Sequence, residues 1–205
     1  QVNTIKDHIE EELKKKKKIY SNIYYVETIK EIEEDIKQIH KKYGDAKHHC
    51  FAYRILQKDT IIEKVSDDGE PSKTAGAPIL QVLNKNELVN ILVVVTRYFG
   101  GILLGTGGLV RAYTQSTQNA LKKAKFLTLQ EGIEAKVTLN YQSLEKFQYY
   151  CQKNQIQITK SEYGEQIICF IELNRQQKQE ILQESVKKKL NIQKTEIIQE
   201  KYIKR

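Results

Sequence analysis

The sequence predicts an α+β fold in two domains, an α/β domain over residues 1–130 and a ferredoxin-like βαββαβ domain over 131–205. Three observations predict it. The run Ile91-Leu92-Val93-Val94-Val95 is continuously apolar rather than alternating, as in a central strand covered on both faces. The composition then changes: from Ile133 onward there is one glycine and no proline, and strand and helix patterns follow one another closely. Apolar residues make up 40% and charged residues 29% of the 205, which suits a globular chain with a real core.

Residues 4–27 alternate enough to predict two strands, the second running from Ile19 to Val26. Thr28 and Glu31 have the spacing of a capping box, and Ile29, Ile32, Ile36 and Ile39 follow at helical intervals until Tyr43-Gly44-Asp45 stops the helix. Cys50 to Leu56 and Thr60 to Val65 read as a hairpin, turning at Gln57-Lys58-Asp59. A polar loop from Ser66 to Thr74 leads to a short helix holding Ile79, Leu80, Val82 and Leu83. Pro78 fits that helix only in its opening turn. After the central strand and a glycine-rich turn, Leu109, Ala112, Tyr113, Ser116, Ala120 and Ala124 mark one stripe of a long helix.

Gln130-Glu131-Gly132 reads as the linker. Beyond it come a strand (Ile133 to Leu139), a helix (Leu144 to Lys153), and strands from Ile156 to Tyr163 and Glu165 to Leu173 that turn at Gly164. A second helix (Gln176 to Leu190) and a last strand (Ile192 to Tyr202) complete the plait.

No apolar run approaches the roughly 18 residues of a membrane span, and the N-terminus lacks a signal-peptide segment. Cys50, Cys151 and Cys169 are too scattered for a disulfide framework or a zinc site. A soluble, reduced, cytoplasmic protein without membrane partners is expected. The net charge of +8 is spread over both halves; it favours approach to RNA, and it equally suits a lysine-rich protein that binds no nucleic acid.

Five of the ten glycines, Gly100, Gly101, Gly105, Gly107 and Gly108, fall within nine residues. The segment joins a buried strand to a helix N-terminus, where free N–H groups favour anions. It lacks the Lys-Ser/Thr pair of a Walker loop and the third glycine of a dinucleotide loop, so a plain tight turn stands beside the anion site. Upstream, Asp67, Asp68 and Glu70 in Ser66-Asp67-Asp68-Gly69-Glu70-Pro71 could hold a hard cation or serve acid–base chemistry; Asp-Gly and Glu-Pro are also ordinary turn formers. Arg97 and Arg111 either clamp a phosphate or pair with these acids and cancel their charge. In His48-His49-Cys50, an inward Cys50 is a core residue and one histidine then faces the opposite side. Lys14 to Lys18 reads as an RNA contact or as protection of a sheet edge.

Together, Asp45-Ala46-Lys47-His48-His49-Cys50, Ser66 to Pro71, Thr74-Ala75-Gly76, Arg97-Tyr98-Phe99-Gly100-Gly101 and Leu104 to Tyr113 resemble the YigZ/IMPACT family in order and spacing. The resemblance covers nearly the whole chain. It implies a first domain with the α/β fold of a small-subunit ribosomal protein (ribosomal-protein-domain-2-like) and a second like domain V of elongation factor G. It also implies translational control through protein partners in eukaryotic members and contact with RNA or ribosomes in bacterial ones, with no settled enzymatic activity; no cofactor is expected. Where relatives end the basic first-strand motif in a Ser-x-Phe pattern, this chain has Lys17-Lys18-Ile19-Tyr20.

The expected site is therefore Asp67, Asp68, Glu70, Thr74, Arg97, Tyr98, Gly100, Gly101, Gly105, Thr106, Gly107, Gly108 and Arg111, with no metal. The expected function is non-enzymatic binding linked to translation or its regulation, with RNA, the ribosome or a protein as partner. The alternative is a small-molecule phosphotransferase or hydrolase using the acidic and glycine-rich loops.

Overall fold

The computed structural model describes residues 2–12, 19–57, 60–98 and 104–204, and the chain divides into two units, Gln1–Thr128 and Leu129–Arg205. In the first unit β1 (Val2–Ile5) runs beside residues 87–89, with Asn3 N donating to Glu87 O and Val89 N donating to Asn3 O. The strands β2 (Ile9–Glu12) and β3 (Ile19–Tyr25) follow. Three strands thus precede the first helix where two were expected, because the exposed Lys6-Asp7-His8 bend interrupts the alternation. The Lys14 to Lys18 run lies outside the described residues.

Helix α1 (Ile29–Lys42) begins on the capping box: Glu31 N donates to Thr28 Oγ1, and Thr28 N to the Glu31 carboxylate. Strands β4 (His48–Gln57) and β5 (Thr60–Ser66) form the antiparallel hairpin, with Gln57 opposite Thr60; Lys58 and Asp59 are outside the described residues. Helix α2 (Gly76–Lys85) carries Pro78 in its first turn. Then come β6 (Ile91–Arg97) and α3 (Gly105–Leu121).

The five-stranded sheet has the order β2-β3-β6-β4-β5 with antiparallel neighbours. Every residue of β6 is buried. Ile91, Val93 and Val95 pack with Ile79 and Leu83 of α2 and with Leu109 and Tyr113 of α3, while Leu92 and Val94 pack with Ile32 and Ile39 of α1. Two covered faces explain the continuous apolar run, because successive strand side chains alternate between them.

Strand β7 (Phe126–Leu139) carries the chain into the second unit and contains the expected linker. Gln130, Glu131 and Gly132 are paired with Ile203, Tyr202 and Lys201 of β10 (Lys194–Lys204), so their backbone groups are in a ladder rather than a loop. A Cβ at Gly132 would lie 2.7 Å from both Ile203 Cδ1 and Leu173 O, so this glycine serves close packing, not a turn.

The rest of the unit is α4 (Tyr141–Lys153), β8 (Gln157–Tyr163), β9 (Ile167–Asn174), α5 (Arg175–Ile181) and α6 (Glu184–Leu190). The strand order β10-β7-β9-β8, all antiparallel, is that of the ferredoxin-like plait. The single helix expected over Gln176 to Leu190 is two, because Gln183 takes an extended backbone (φ −66°, ψ 133°) that opens a second helix. Among the described residues, no helix is long and apolar enough to cross a membrane.

Candidate functional site

Strand alternation at the start of β4 puts His48 and Cys50 on the α3 side of the sheet and His49 on the α1 side, where its ring lies 4.1 Å from that of His40. His49 Nδ1 is 3.2 Å from Thr96 Oγ1. Burial first, and then the nearby His40, lower the His49 pKa, so the neutral ring is favoured there.

The loop after β5 folds over this end of β4 through hydrogen bonds to its acids. Asp67 Oδ1 accepts from Gly76 N (2.8 Å) and Ala75 N (3.1 Å), and Oδ2 accepts from Lys73 N (2.8 Å). Asp67 therefore satisfies N–H groups at the start of α2, which has no side-chain cap from its own N-cap residue, Ala75. Asp68 is held twice: Oδ2 accepts from His49 N (2.6 Å), and the carbonyl oxygen lies 2.8 Å from His48 Nδ1. Asp68 (φ 38°) and Gly69 (φ 81°) form consecutive left-handed positions, which a glycine makes accessible at the loop's sharpest bend. Gly76 answers a different need: a Cβ there would sit 2.9 Å from Ser66 N and O.

Glu70 enters the interior with its side chain 3% exposed. Its Oε1 accepts from Arg97 Nε and from the Tyr113 hydroxyl (2.8 Å), and Oε2 lies 4.0 Å from His48 Nε2. The Cys50 thiol lies 3.0 Å from Asp67 O and 3.3 Å from the Tyr113 oxygen. Burial pushes the Cys50 pKa up to about 12 and holds the Tyr113 hydroxyl protonated as well. Burial opposes the charge on Arg97, but the Glu70 carboxylate outweighs it and the Arg97 pKa moves up. The result is a neutralised polar cluster under the acidic loop, its carboxylates engaged by backbone donors, an arginine and a tyrosine.

The structure brings Asp67, Asp68, Glu70 and Arg97 together. Thr74 is in the same loop, its hydroxyl donating to Pro71 O at 2.6 Å. Tyr98 follows Arg97 and so points to the other face, where its hydroxyl donates to Asp45 Oδ1 at 2.7 Å. Gly100 and Gly101 lie outside the described residues. Gly105, Thr106, Gly107 and Gly108 form the first turn of α3 rather than the turn preceding it, with the first three exposed. Arg111 is exposed one turn further on, and its Nη1 would lie 3.6 Å from a Cβ on Gly107. Of the two arginines, Arg97 is buried in the polar cluster and Arg111 is exposed beside the first turn of α3.

Tyr113 is the residue that sequence reasoning placed only in a core stripe. Its signal was a hydroxyl within the buried stripe Leu109, Tyr113, Ser116, which has a second one: Ser116 Oγ lies 2.6 Å from Ser21 Oγ on β3. Both hydroxyls tie α3 to polar partners across the core.

Comparison with known proteins agrees with these motifs. Residues 15–121 match the model of the Impact N-terminal domain. The chain is 46% identical over 119 residues to the IMPACT family member YvyE of Bacillus subtilis, covering 58% of this chain and 54% of the relative. It is 40% identical over 151 residues to an IMPACT family member of Haemophilus influenzae, covering 73% of this chain and 72% of the relative. It is 37% identical over 110 residues to YigZ of Escherichia coli, covering 53% of this chain and 54% of the relative. The matches thus span about half the length of YvyE and YigZ. A crystal structure of a hypothetical protein superposes with a TM-score of 0.64 at 26% identity, over 96% of both chains. With the domain match spanning more than half of its residues, the chain belongs to the IMPACT family.

Proposed function

We propose that this protein is a non-enzymatic binding protein linked to translation, and that it contacts structured RNA on the ribosome through the first turn of α3. One observation carries the reading. The groups that could do chemistry are occupied within the fold, whereas Gly105, Thr106, Gly107 and Arg111 are exposed. Cys50 is a buried thiol held protonated, and its hydrogen-bond partners among the described residues are a carbonyl and a tyrosine rather than a base. The acidic loop is then a scaffold. Glu70 holds Tyr113 of α3, and Asp67 holds the start of α2, which fixes the elements that carry the exposed turn.

An exposed helix start with glycines and an arginine suits phosphate oxygens, since backbone N–H groups approach closely and the guanidinium adds a charged fork. Family membership supports the link to translation, and the net charge of +8 supports a polyanionic partner. Sedimentation of the purified protein with 70S ribosomes tests the proposal: association at low salt that falls as salt rises is expected. No association, together with thermal stabilisation by Mg²⁺ and a nucleotide, would instead favour the phosphotransferase or hydrolase reading.

A further inference from the structure

On the α1 face of the first unit, away from the acidic loop, lies an open groove of about 310 Å³ between α1 and the β2–β3 side of the sheet. Its aromatic wall is built by His8 and Tyr24, whose rings stack at 4.2 Å and 9°. The opposite wall is the α1 flank bearing Glu31, Glu34, Asp35 and Gln38. Two of the carboxylates have local work: Glu31 closes the capping box, and Glu34 lies 4.0 Å from Lys30. Asp35 differs. It is half-buried and has no hydrogen-bond or ion-pair partner among the described residues, and the Tyr24 hydroxyl has none either. Burial raises the Asp35 pKa, against the opposing pull of the His8 ring across the groove and with a further push from Glu31 and Glu34.

We infer that this groove receives an arginine side chain of a partner polypeptide, with the guanidinium lying on the Tyr24–His8 wall and donating to Asp35. The two walls demand different things of one ligand. A flat aromatic face favours a planar or cationic group, and an unpartnered carboxylate beside it favours a donor. The guanidinium meets both at once, because it stacks through its plane and donates from its edge; an ammonium meets only the second. The rest of the chain argues against casual attraction: with a net charge of +8 it repels cationic peptides at large, so binding here needs the local field of Glu34 and Asp35.

Titration of the full chain with a capped tri-arginine peptide, followed by amide and side-chain NMR shifts, tests the inference. Shifts are expected at His8, Tyr24 and Asp35, with capped tri-lysine binding more weakly and Asp35→Asn weakening tri-arginine about tenfold. Asp35 is half-buried on a helix surface, so Asp35→Asn should fold, and its unchanged melting point is the control. The inference is overturned by shifts confined to other surfaces, by equal affinity for tri-lysine, or by unaltered binding to folded Asp35→Asn.

Discussion

Glu70 and Arg97 form a buried ion pair that fixes the acidic loop to the end of the central strand, with side chains 3% and 8% exposed. The same Glu70 oxygen accepts the Tyr113 hydroxyl at 2.8 Å, so one carboxylate joins the loop, β6 and α3. The pair's geometry makes each partner necessary to the other, since an uncompensated charge cannot be rehydrated there.

Glu70→Gln keeps the shape and removes the charge that balances Arg97. It should destabilise the protein by about 3–5 kcal/mol, read as a lower urea midpoint with an unchanged slope.

Asp67→Ala frees three backbone donors, at Lys73, Ala75 and Gly76. A loss of about 1–3 kcal/mol is expected, with faster hydrogen exchange at the Ala75 and Gly76 amides. Asp67→Asn should recover part of it, since an amide oxygen still accepts.

Gly107→Ala separates stability from binding. The position is in the first turn of α3, and among the described residues a Cβ there meets only Arg111 Nη1 at 3.6 Å. Alanine should therefore leave the fold intact or raise its stability by about 0.4–1 kcal/mol. If RNA approaches this backbone, the same methyl should lower ribosome co-sedimentation.

The three cysteines are buried, and burial pushes Cys50 and Cys151 up to about 12 and raises Cys169. At pH 8 the native chain should react with Ellman's reagent only as it unfolds, whereas the denatured chain should release three equivalents. The folded thiols keep their protons above pH 9.0, the ordinary value at which unfolded thiols lose theirs. Their contribution to stability is thus complete below about pH 9 and declines as the pH rises toward 12.

Local rules account for what was legible in the sequence. Thr28 and Glu31 announced α1, the Ile91 to Val95 run announced a doubly covered strand, and the strand–helix pattern beyond Ile133 announced the plait. Gly132 misled because a glycine required by the side chain of Ile203 looks, in sequence, like one required by a turn. The grouping of Asp67, Asp68, Glu70 and Arg97 followed from their motifs, and the pairing of Arg97 with one of these acids was one of the two readings their residue types allowed; the other contacts were not legible. That Asp67 holds the start of α2, nine residues on, and that Glu70 meets Tyr113, 43 residues on, are products of tertiary packing. Arg97 and Arg111 looked equivalent in sequence, and only the register of β6 and the rotation of α3 separate the buried one from the exposed one.

Sedimentation of the wild-type chain and Arg111→Ala with 70S ribosomes, at low and high salt, tests the central claim most directly. The wild type should pellet with ribosomes at low salt and release as salt rises, and Arg111→Ala should bind less at every salt with an unchanged melting point. Wild-type protein that stays in the supernatant throughout, or Arg111→Ala that pellets equally, would contradict it.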